Sequence, residues 1–387
     1  MKMRIGLVGC GNISNVYLTN AQLFEDIEFA AVSSRNIESA KRTGERYELE
    51  VRSIDRLIAS DDIDIVLNLT VPSVHAAISL AVIEAGKHVY TEKPLATNLV
   101  DGKELVAAAA AKGLRVGCAP DTVLGGGIQS ARAAIDRGAI GRPLIGIASV
   151  LSHGMEAWHP NPVFFYQRGA GPIFDVGPYY ITALVTLLGP IVRVSALGQK
   201  GFLRRKITAE NSSLRGETVP VEVPTSVQAL LSFASGAQVT FTASWDVWRH
   251  SLPPIELHGT DGSMTVPDPD TFGGVISTAN GQSDWIETDT GSNTFGRKNW
   301  PCENPQVANY RGLGLAEMAR GIIEGRPHRT SVELSLHTLA VMSAIVESVE
   351  QQISIDIAEP CRQPEAFAEE EAKSLLSTAG EKSMCAV

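Results

Sequence analysis

Arg4-Ile5-Gly6-Leu7-Val8-Gly9-Cys10-Gly11-Asn12-Ile13-Ser14 is an apolar run that breaks into a glycine-rich turn, and a helical pattern through Val16, Leu18, Ala21 and Leu23 follows it. Strand, Gly-x-Gly and helix in that order are the context in which such a turn cradles a dinucleotide. Gly9 allows the tight turn. Gly11 lets the backbone approach a pyrophosphate resting on the helix N-terminus, with Asn12 and Ile13 beside it. The third position of the fingerprint is Ser14 in place of Gly or Ala, still small enough for helix–strand packing. A glycine turn without a ligand is the plainer alternative, and the strand–turn–helix context weighs against it.

A second strand, residues 28–32, ends in Ser33-Ser34-Arg35. A site for NAD expects a carboxylate here for the ribose 2′-hydroxyl. The hydroxyl of Ser34 and the guanidinium of Arg35 suit a 2′-phosphate instead, so NADP is expected ahead of NAD; a solvated loop arginine is the competing reading. Residues 63–69 form a near-continuous apolar strand, as in parallel sheets buried on both faces. It runs into Thr70-Val71-Pro72-Ser73-Val74-His75 and a helix closed by Gly86. His75 starts that helix at the ligand edge, where it either meets the nicotinamide or is structural. Next comes Gly86-Lys87-His88-Val89-Tyr90-Thr91-Glu92-Lys93-Pro94-Leu95, a short strand that stops at Glu-Lys-Pro. Proline fixes its own φ and restrains the residue before it, so Lys93 projects from a defined place at the strand's carboxyl end. Ligands sit at that end in open α/β sheets. Thr70, Pro72, His75, Glu92 and Lys93 are therefore candidate cofactor contacts. A helix over residues 99–111 and a strand over 114–118 complete the alternation that predicts a doubly wound parallel sheet in residues 1–122.

With 387 residues, 44% hydrophobic and 20% charged, the chain is globular and long enough for two domains. A net charge of −10 gives no general attraction to nucleic acid or anionic membrane. Five scattered cysteines make neither obvious pairs nor a zinc pattern, and no metal site is expected. The apolar strand begins by Ile5 and no apolar run reaches membrane-spanning length, so a cytoplasmic protein is expected. A Pro/Gly-rich boundary from Ala119 to Gly127 leads into a second domain, residues 123–360, whose short strand-like runs and hairpin turns predict a large, mostly antiparallel sheet. The expected fold class is α/β followed by α+β. Residues 361–387 read as a charged, peripheral tail.

Residues 153–179 are dense in groups suited to a polyol: His153, Glu156, Trp158, His159, Asn161, Tyr166, Arg168, Asp175 and Tyr179, of which His153, Trp158, His159, Tyr166, Asp175 and Tyr179 are the substrate candidates. Aromatic faces cover C–H groups while polar side chains meet hydroxyls. A packed surface loop is the plainer alternative for each residue. Asp175 and Tyr179 stand one helical turn apart, and Asp175 could equally cap the helix that follows.

Together these features resemble the Gfo/Idh/MocA oxidoreductase family. The likeness rests on the Gly9–Ser14 fingerprint, Pro72 and His75, Ala85-Gly86-Lys87-His88-Val89, Glu92-Lys93-Pro94, and Gly169-Ala170-Gly171-Pro172-Ile173-Phe174-Asp175-Val176-Gly177. It implies an NAD(P)-dependent oxidoreductase acting on a sugar or polyol, with a homodimer or homotetramer built through the C-terminal sheet. It also implies an acid/base set of Lys93 and Asp175, with Tyr179 where the family has histidine. Lys93 and the oxidised nicotinamide would then favour tyrosinate, lowering the Tyr179 pKa. The family often has a basic residue near Asp121, and this chain departs from that. Two other classes fit the same fold: a nucleotide-retaining glycosidase or lyase, and a non-catalytic dinucleotide-binding regulator.

Overall fold

In a computed structural model that describes residues 2–385, six strands form the first sheet. They are β1 (Met3–Val8), β2 (Ile27–Ser33), β3 (Glu50–Val51), β4 (Ile65–Asn68), β5 (His88–Thr91) and β6 (Val116–Cys118). Their order is β3-β2-β1-β4-β5-β6, and all pairs are parallel. Helices cover both faces, so β1 and β4 bury nearly every side chain: Ile5, Leu7, Ile65, Val66 and Leu67 are fully inaccessible. The order reverses between β1 and β4, and the crevice beyond their carboxyl ends is where the site lies.

The second sheet contains β7 (Pro143–Leu151) and β8 (Ile191–Gln199); a separate ribbon pairs β9 (Arg204–Lys206) with β10 (Thr218–Pro220). The large sheet continues through β11 (Ser226–Phe233), β12 (Gln238–Ser244), β13 (Ile255–Gly259), β14 (Gly262–Val266), β15 (Val275–Asn280), β16 (Ile286–Asp289) and β17 (Ile355–Asp356). Its nine strands run in the order β16-β15-β14-β13-β7-β12-β11-β8-β17; β7 and β12 are parallel and the other neighbours antiparallel. Side chains alternate as the pleat requires. Val227, Ala229, Leu231 and Phe233 of β11 face the core, while Leu230 and, on other strands of the sheet, Ile145 and Leu197 are exposed. This is the parallel-then-antiparallel architecture that the sequence pattern implies.

Helices Gly177–Leu188 and Val332–Gln351 pack on the inner face. The second has the length and composition of a membrane span, but two thirds of its apolar window (67%) is buried inside the protein. It is a core helix whose apolar character the surrounding elements absorb.

Two features differ from the sequence reading or resolve it. The segment after residue 360, expected to be peripheral, is a strap across both domains; residues 386–387 lie outside the described range. Phe367, Ala372 and Leu375 are buried anchors, and the Phe367 amide donates to Gln129 Oε1 at 2.8 Å. Arg329 forks onto Glu371 at 2.9 and 2.6 Å, and Ser377 bonds the Leu23 and Gln22 carbonyls of the first domain. Spaced apolar anchors and paired charges make this possible despite the segment's polar composition. Asp121, whose acidic character had no evident role, is buried and accepts the Gly312 and Gly314 amides at 2.9 and 3.1 Å. It caps helix Leu313–Glu324 from across the domain junction.

Candidate active site

The first wall of the site is the turn after β1. Gly9 has φ 109°, and a Cβ there would lie 2.5 Å from the Leu69 carbonyl oxygen, so only glycine lets the ends of β1 and β4 approach. A Cβ on Gly11 would meet nothing within 4 Å. Helix Ser14–Asn20 begins without a side-chain cap, and the loop hydrogen bonds among the described residues leave the Asn12 and Ile13 amides free. Open space beside free amides fits a dinucleotide phosphate. At the end of β2, Ser34 Oγ accepts the Asn36 amide at 3.3 Å. Arg35 is exposed and takes part in none of the ion pairs among the described residues.

The second wall follows β4. Buried Asn68 donates to the His75 carbonyl and to Ser79, and its Oδ1 accepts Thr70 Oγ1 at 2.6 Å, fixing the turn that leads to Pro72. His75 is fully buried, with Nδ1 2.8 Å from the Pro94 carbonyl and Nε2 2.9 Å from the Thr70 carbonyl. Each ring nitrogen faces a carbonyl, to one of which a neutral ring donates, so His75 ties the two loops together and presents no nitrogen to a nicotinamide. Its structural reading is the one the geometry carries. Glu92 likewise turns inward: one carboxylate oxygen accepts Tyr17 Oη at 2.9 Å and the other the Lys93 amide at 3.0 Å.

Lys93 is the centre. Its side chain is 18% exposed, and the ammonium reaches the second domain and donates to the Asp175 carbonyl at 2.8 Å and Asp175 Oδ1 at 3.3 Å. It also lies 4.9 Å from the centre of the Tyr179 ring. Asp175 closes helix Gly171–Asp175, and the next helix has Val176 at its cap with no side-chain bond. Asp175 is therefore not a helix cap; its carboxylate serves Lys93. The phenol of buried Tyr179 accepts Arg311 Nη2 at 3.3 Å, and the same nitrogen donates to Asp270 Oδ1 at 2.8 Å.

Burial opposes charge on Lys93, but the oxygens of Tyr179, Asp175, Glu92 and Asp270 outweigh it, and the ammonium is held above its ordinary range. Burial pushes the Tyr179 phenol upward; Lys93 and Arg311 pull it down, Asp270 and Glu92 push it up, and the net shift is upward. This reverses the lowered Tyr179 pKa expected from the lysine, because loss of water around the ring outweighs the neighbouring cations. Both groups hold their protons at neutral pH.

The aromatic loop divides. Trp158 is 60% exposed and stands edge-on to His159, which Phe164 and Phe165 also flank. His153 stacks on Trp248 with ring centres 3.3 Å apart. Tyr166 is fully buried; its hydroxyl donates to Glu156 and accepts the Met155 amide, so it belongs to packing and has no group to offer a substrate. Among the described residues no hydrogen bond or ring contact joins His153, Trp158, His159 or Tyr166 to the Lys93 cluster. The structure thus brings together Lys93, Asp175 and Tyr179, and adds Arg311, Asp270 and Tyr17, which the sequence did not single out. Only the Asp-Pro-Asp turn at residues 268–270 hinted at a rigid acidic corner.

Residues 3–119 match the oxidoreductase family with an NAD-binding Rossmann fold (GFO/IDH/MocA), and residues 128–265 match the GFO/IDH/MocA C-terminal domain. Levoglucosan dehydrogenase of Pseudarthrobacter phenanthrenivorans is 25% identical over 84% of this chain and 88% of its own length. Trans-1,2-dihydrobenzene-1,2-diol dehydrogenase of Bos taurus is 24% identical over 70% of this chain and 75% of its own. Among solved structures, levoglucosan dehydrogenase in complex with NADH and levoglucosan superposes with a TM-score of 0.78 at 22% identity, covering 93% of this chain and 100% of that one.

Proposed function

The chain belongs to the GFO/IDH/MocA oxidoreductase family, and from that premise we propose that it moves a hydride between nicotinamide and a carbinol or ketone carbon of a sugar, sugar derivative or polyol. The observation that carries this reading is the Lys93 ammonium at the end of β5, held between Asp175 and the face of Tyr179. Bound nicotinamide supplies the hydride acceptor or donor. The chain's own residues bind, orient and manage the proton. Gly9, Gly11, Asn12 and Ile13 would receive the pyrophosphate, with Thr70 and Pro72 forming the opposite lip. Arg35 and Ser34 would meet a 2′-phosphate, so NADP(H) is preferred: Arg35 is unpaired and no carboxylate stands at the end of β2 to repel it.

Asp175 orients the Lys93 ammonium, and Lys93 or Tyr179 exchanges a proton with the substrate oxygen. Both are protonated at neutral pH, which suits protonating a developing alkoxide. Oxidation of an alcohol therefore needs alkaline solution, more so than in relatives with histidine in place of Tyr179. Trp158, His153 and His159 supply aromatic faces for the sugar. The relatives named for levoglucosan and for a dihydrodiol support a cyclic vicinal diol or polyol as the substrate class. The outward face of the large sheet, with Ile145, Leu197 and Leu230 exposed, is the proposed contact between copies in a dimer or tetramer.

The test is a screen of sugars and polyols with NAD(H) and NADP(H), read by nicotinamide absorbance. Turnover with a net absorbance change, stronger with NADP(H), is expected. Substrate conversion with nucleotide retained and no net absorbance change would replace this reading with a hydrolase or lyase. Equal affinity for both cofactors would remove the NADP preference.

A further inference from the structure

The Lys93 cluster has a side that the hydride reading leaves unexplained. Arg311 arrives from the loop before helix Leu313–Glu324, and Asp270 from the turn after β14; neither is near Tyr179 in sequence. Yet one guanidinium nitrogen, Arg311 Nη2, bridges Tyr179 Oη and Asp270 Oδ1 at 3.3 and 2.8 Å. Arginine only donates, so the phenol's own hydrogen points elsewhere; the Asp270 carboxylate, held by the same guanidinium nitrogen, is the acceptor that Arg311 places beside the phenol without a direct hydrogen bond between the two. Tyr179 is buried, whereas the Asp270 side chain is 51% exposed. The turn is fixed: the Asp270 amide donates to Asp268 Oδ1 at 3.0 Å, and Asp268 also receives Tyr180 Oη at 3.3 Å. Arg311 is held in turn by Asn309 Oδ1 at 3.0 Å. The other neighbours give Tyr179 no comparable way out. Lys93 is committed to Asp175, and both Glu92 oxygens are taken by Tyr17 and the Lys93 amide.

We propose that Asp270, positioned by Arg311, is the outlet through which Tyr179 exchanges its proton with solvent during turnover. The inference rests on the oxidoreductase reading above. In the oxidising direction the substrate hydroxyl proton passes to Tyr179 Oη as Tyr179's own proton passes, through one bridging water, to an Asp270 carboxylate oxygen, and from there to bulk water. In reduction the sequence reverses. Only protons move along this path; the electron pair travels with the hydride. Asp270 and Arg311 act through Tyr179 and are positioning residues. The charged groups around the phenol are Lys93, Glu92, Asp175, Asp268, Asp270 and Arg311. Asp270 favours the neutral phenol and Arg311 the tyrosinate.

Two measurements test this. In the cofactor-free protein, a fluorinated tyrosine at position 179 lowers the phenol's titration into an accessible range, and its fluorine resonance reports ionisation. Asp270→Asn should shift that titration down and Arg311→Met should shift it up, each by about one pH unit. In turnover with the cofactor and a sugar found by the screen, Asp270→Asn should lower kcat about tenfold in dilute buffer, with KM within about twofold. Added formate or acetate should restore it, while the unaltered enzyme ignores the added buffer. A rise in KM with kcat intact would make Asp270 a substrate contact and overturn the proposal, as would an unchanged kcat. If no sugar or polyol is turned over at all, the functional reading fails by itself. The fluorine titration then decides the coupling separately, and absence of opposed shifts ends it.

Discussion

Two clusters in this protein are made of nearly the same parts. At the end of β5, Lys93 and Arg311 surround Tyr179 together with Asp175 and Asp270. Beneath the second domain's aromatic loop, Arg205 joins Glu156, Asp246 and Tyr166. Arg205 is 4% exposed and donates to Glu156 at 2.6 Å, to Asp246, and to the Trp245 carbonyl at 2.9 Å. Asp246 also accepts Thr225 and Ser226 hydroxyls at 2.7 and 2.6 Å. Every carboxylate there is consumed, and the guanidinium lies 4.6 Å from the Phe202 ring centre. The Lys93 cluster keeps a half-open carboxylate and a phenol hydrogen that the cation does not claim. Chemistry needs that spare capacity and access to water; a closed network of the same residue types can only stabilise.

The comparison breaks most sharply at the two cations. Lys93→Met is expected to reduce kcat about 10³-fold or more while the melting temperature and nucleotide affinity stay close to those of the unaltered protein. Arg205→Met should do the reverse. It leaves Glu156 and Asp246 buried without their partner, costing about 3–5 kcal/mol in a denaturant titration, and the protein that remains folded should keep its kcat. A large stability loss in the lysine variant, or an activity loss with intact stability in the arginine variant, would erase the distinction.

A further carboxylate, Asp121, sharpens it by being buried without any cation in direct contact. Burial raises Asp121 to about 6, against the amide bonds from Gly314 and Gly312 and the field of Arg311, which lower it. An acid raised on folding is most favourable while protonated, so stability should be highest below pH ~4 as far as this group is concerned. It should then fall by roughly 3 kcal/mol as pH rises through about 6. Asp121→Asn keeps an acceptor for both amides and cannot ionise; the slope between pH ~4 and ~6 should flatten in urea titrations at stepped pH.

The tyrosines form the next contrast. Tyr179→Phe is expected to cut kcat about 10- to 100-fold and alter the alkaline limb of the oxidation profile, with little change in melting temperature. Tyr166→Phe should cost about 1–2 kcal/mol of stability by leaving one buried Glu156 oxygen without its donor, with kcat retained. The smallest effect belongs to a cation outside both clusters. Arg35→Ala should weaken NADP(H) binding about tenfold and leave NAD(H) affinity nearly unchanged, as measured by titration.

Much of this was legible in the sequence because it is local. Each strand–turn–helix unit of the first sheet carries its own period and its own punctuation, and β5 follows from His88 to Thr91 directly. Lys93, Asp175 and Tyr179 stand out through proline and glycine neighbours that fix the backbone. Arg311 and Asp270 do not, because only tertiary packing brings Arg311, 132 residues away, to Tyr179. Tyr166 and Tyr179 look alike as letters near glycine-rich turns; burial against Glu156 separates them. His75 shows the same limit, since a histidine that begins a helix at a sheet edge has no local mark of the two carbonyls that claim its ring. Strands β9, β10 and β17 are too short to show a period, and β16 is exposed along its whole length.

The strap that joins residues 360–385 to the first domain also sets a schedule for synthesis. The Leu23–Phe24 surface receives its partners, Leu376 and Ser377, from the far end of the chain, with Ser377 bonding Gln22 across a separation of 355 residues. At ribosomal speeds of about 5–20 residues per second, that surface stays uncovered for roughly 20 to 70 s after it emerges. During that interval Phe24, joined late by its ring neighbour Phe295, is an apolar surface without its lid, and a holdase that binds such surfaces has a defined window on every newly made chain.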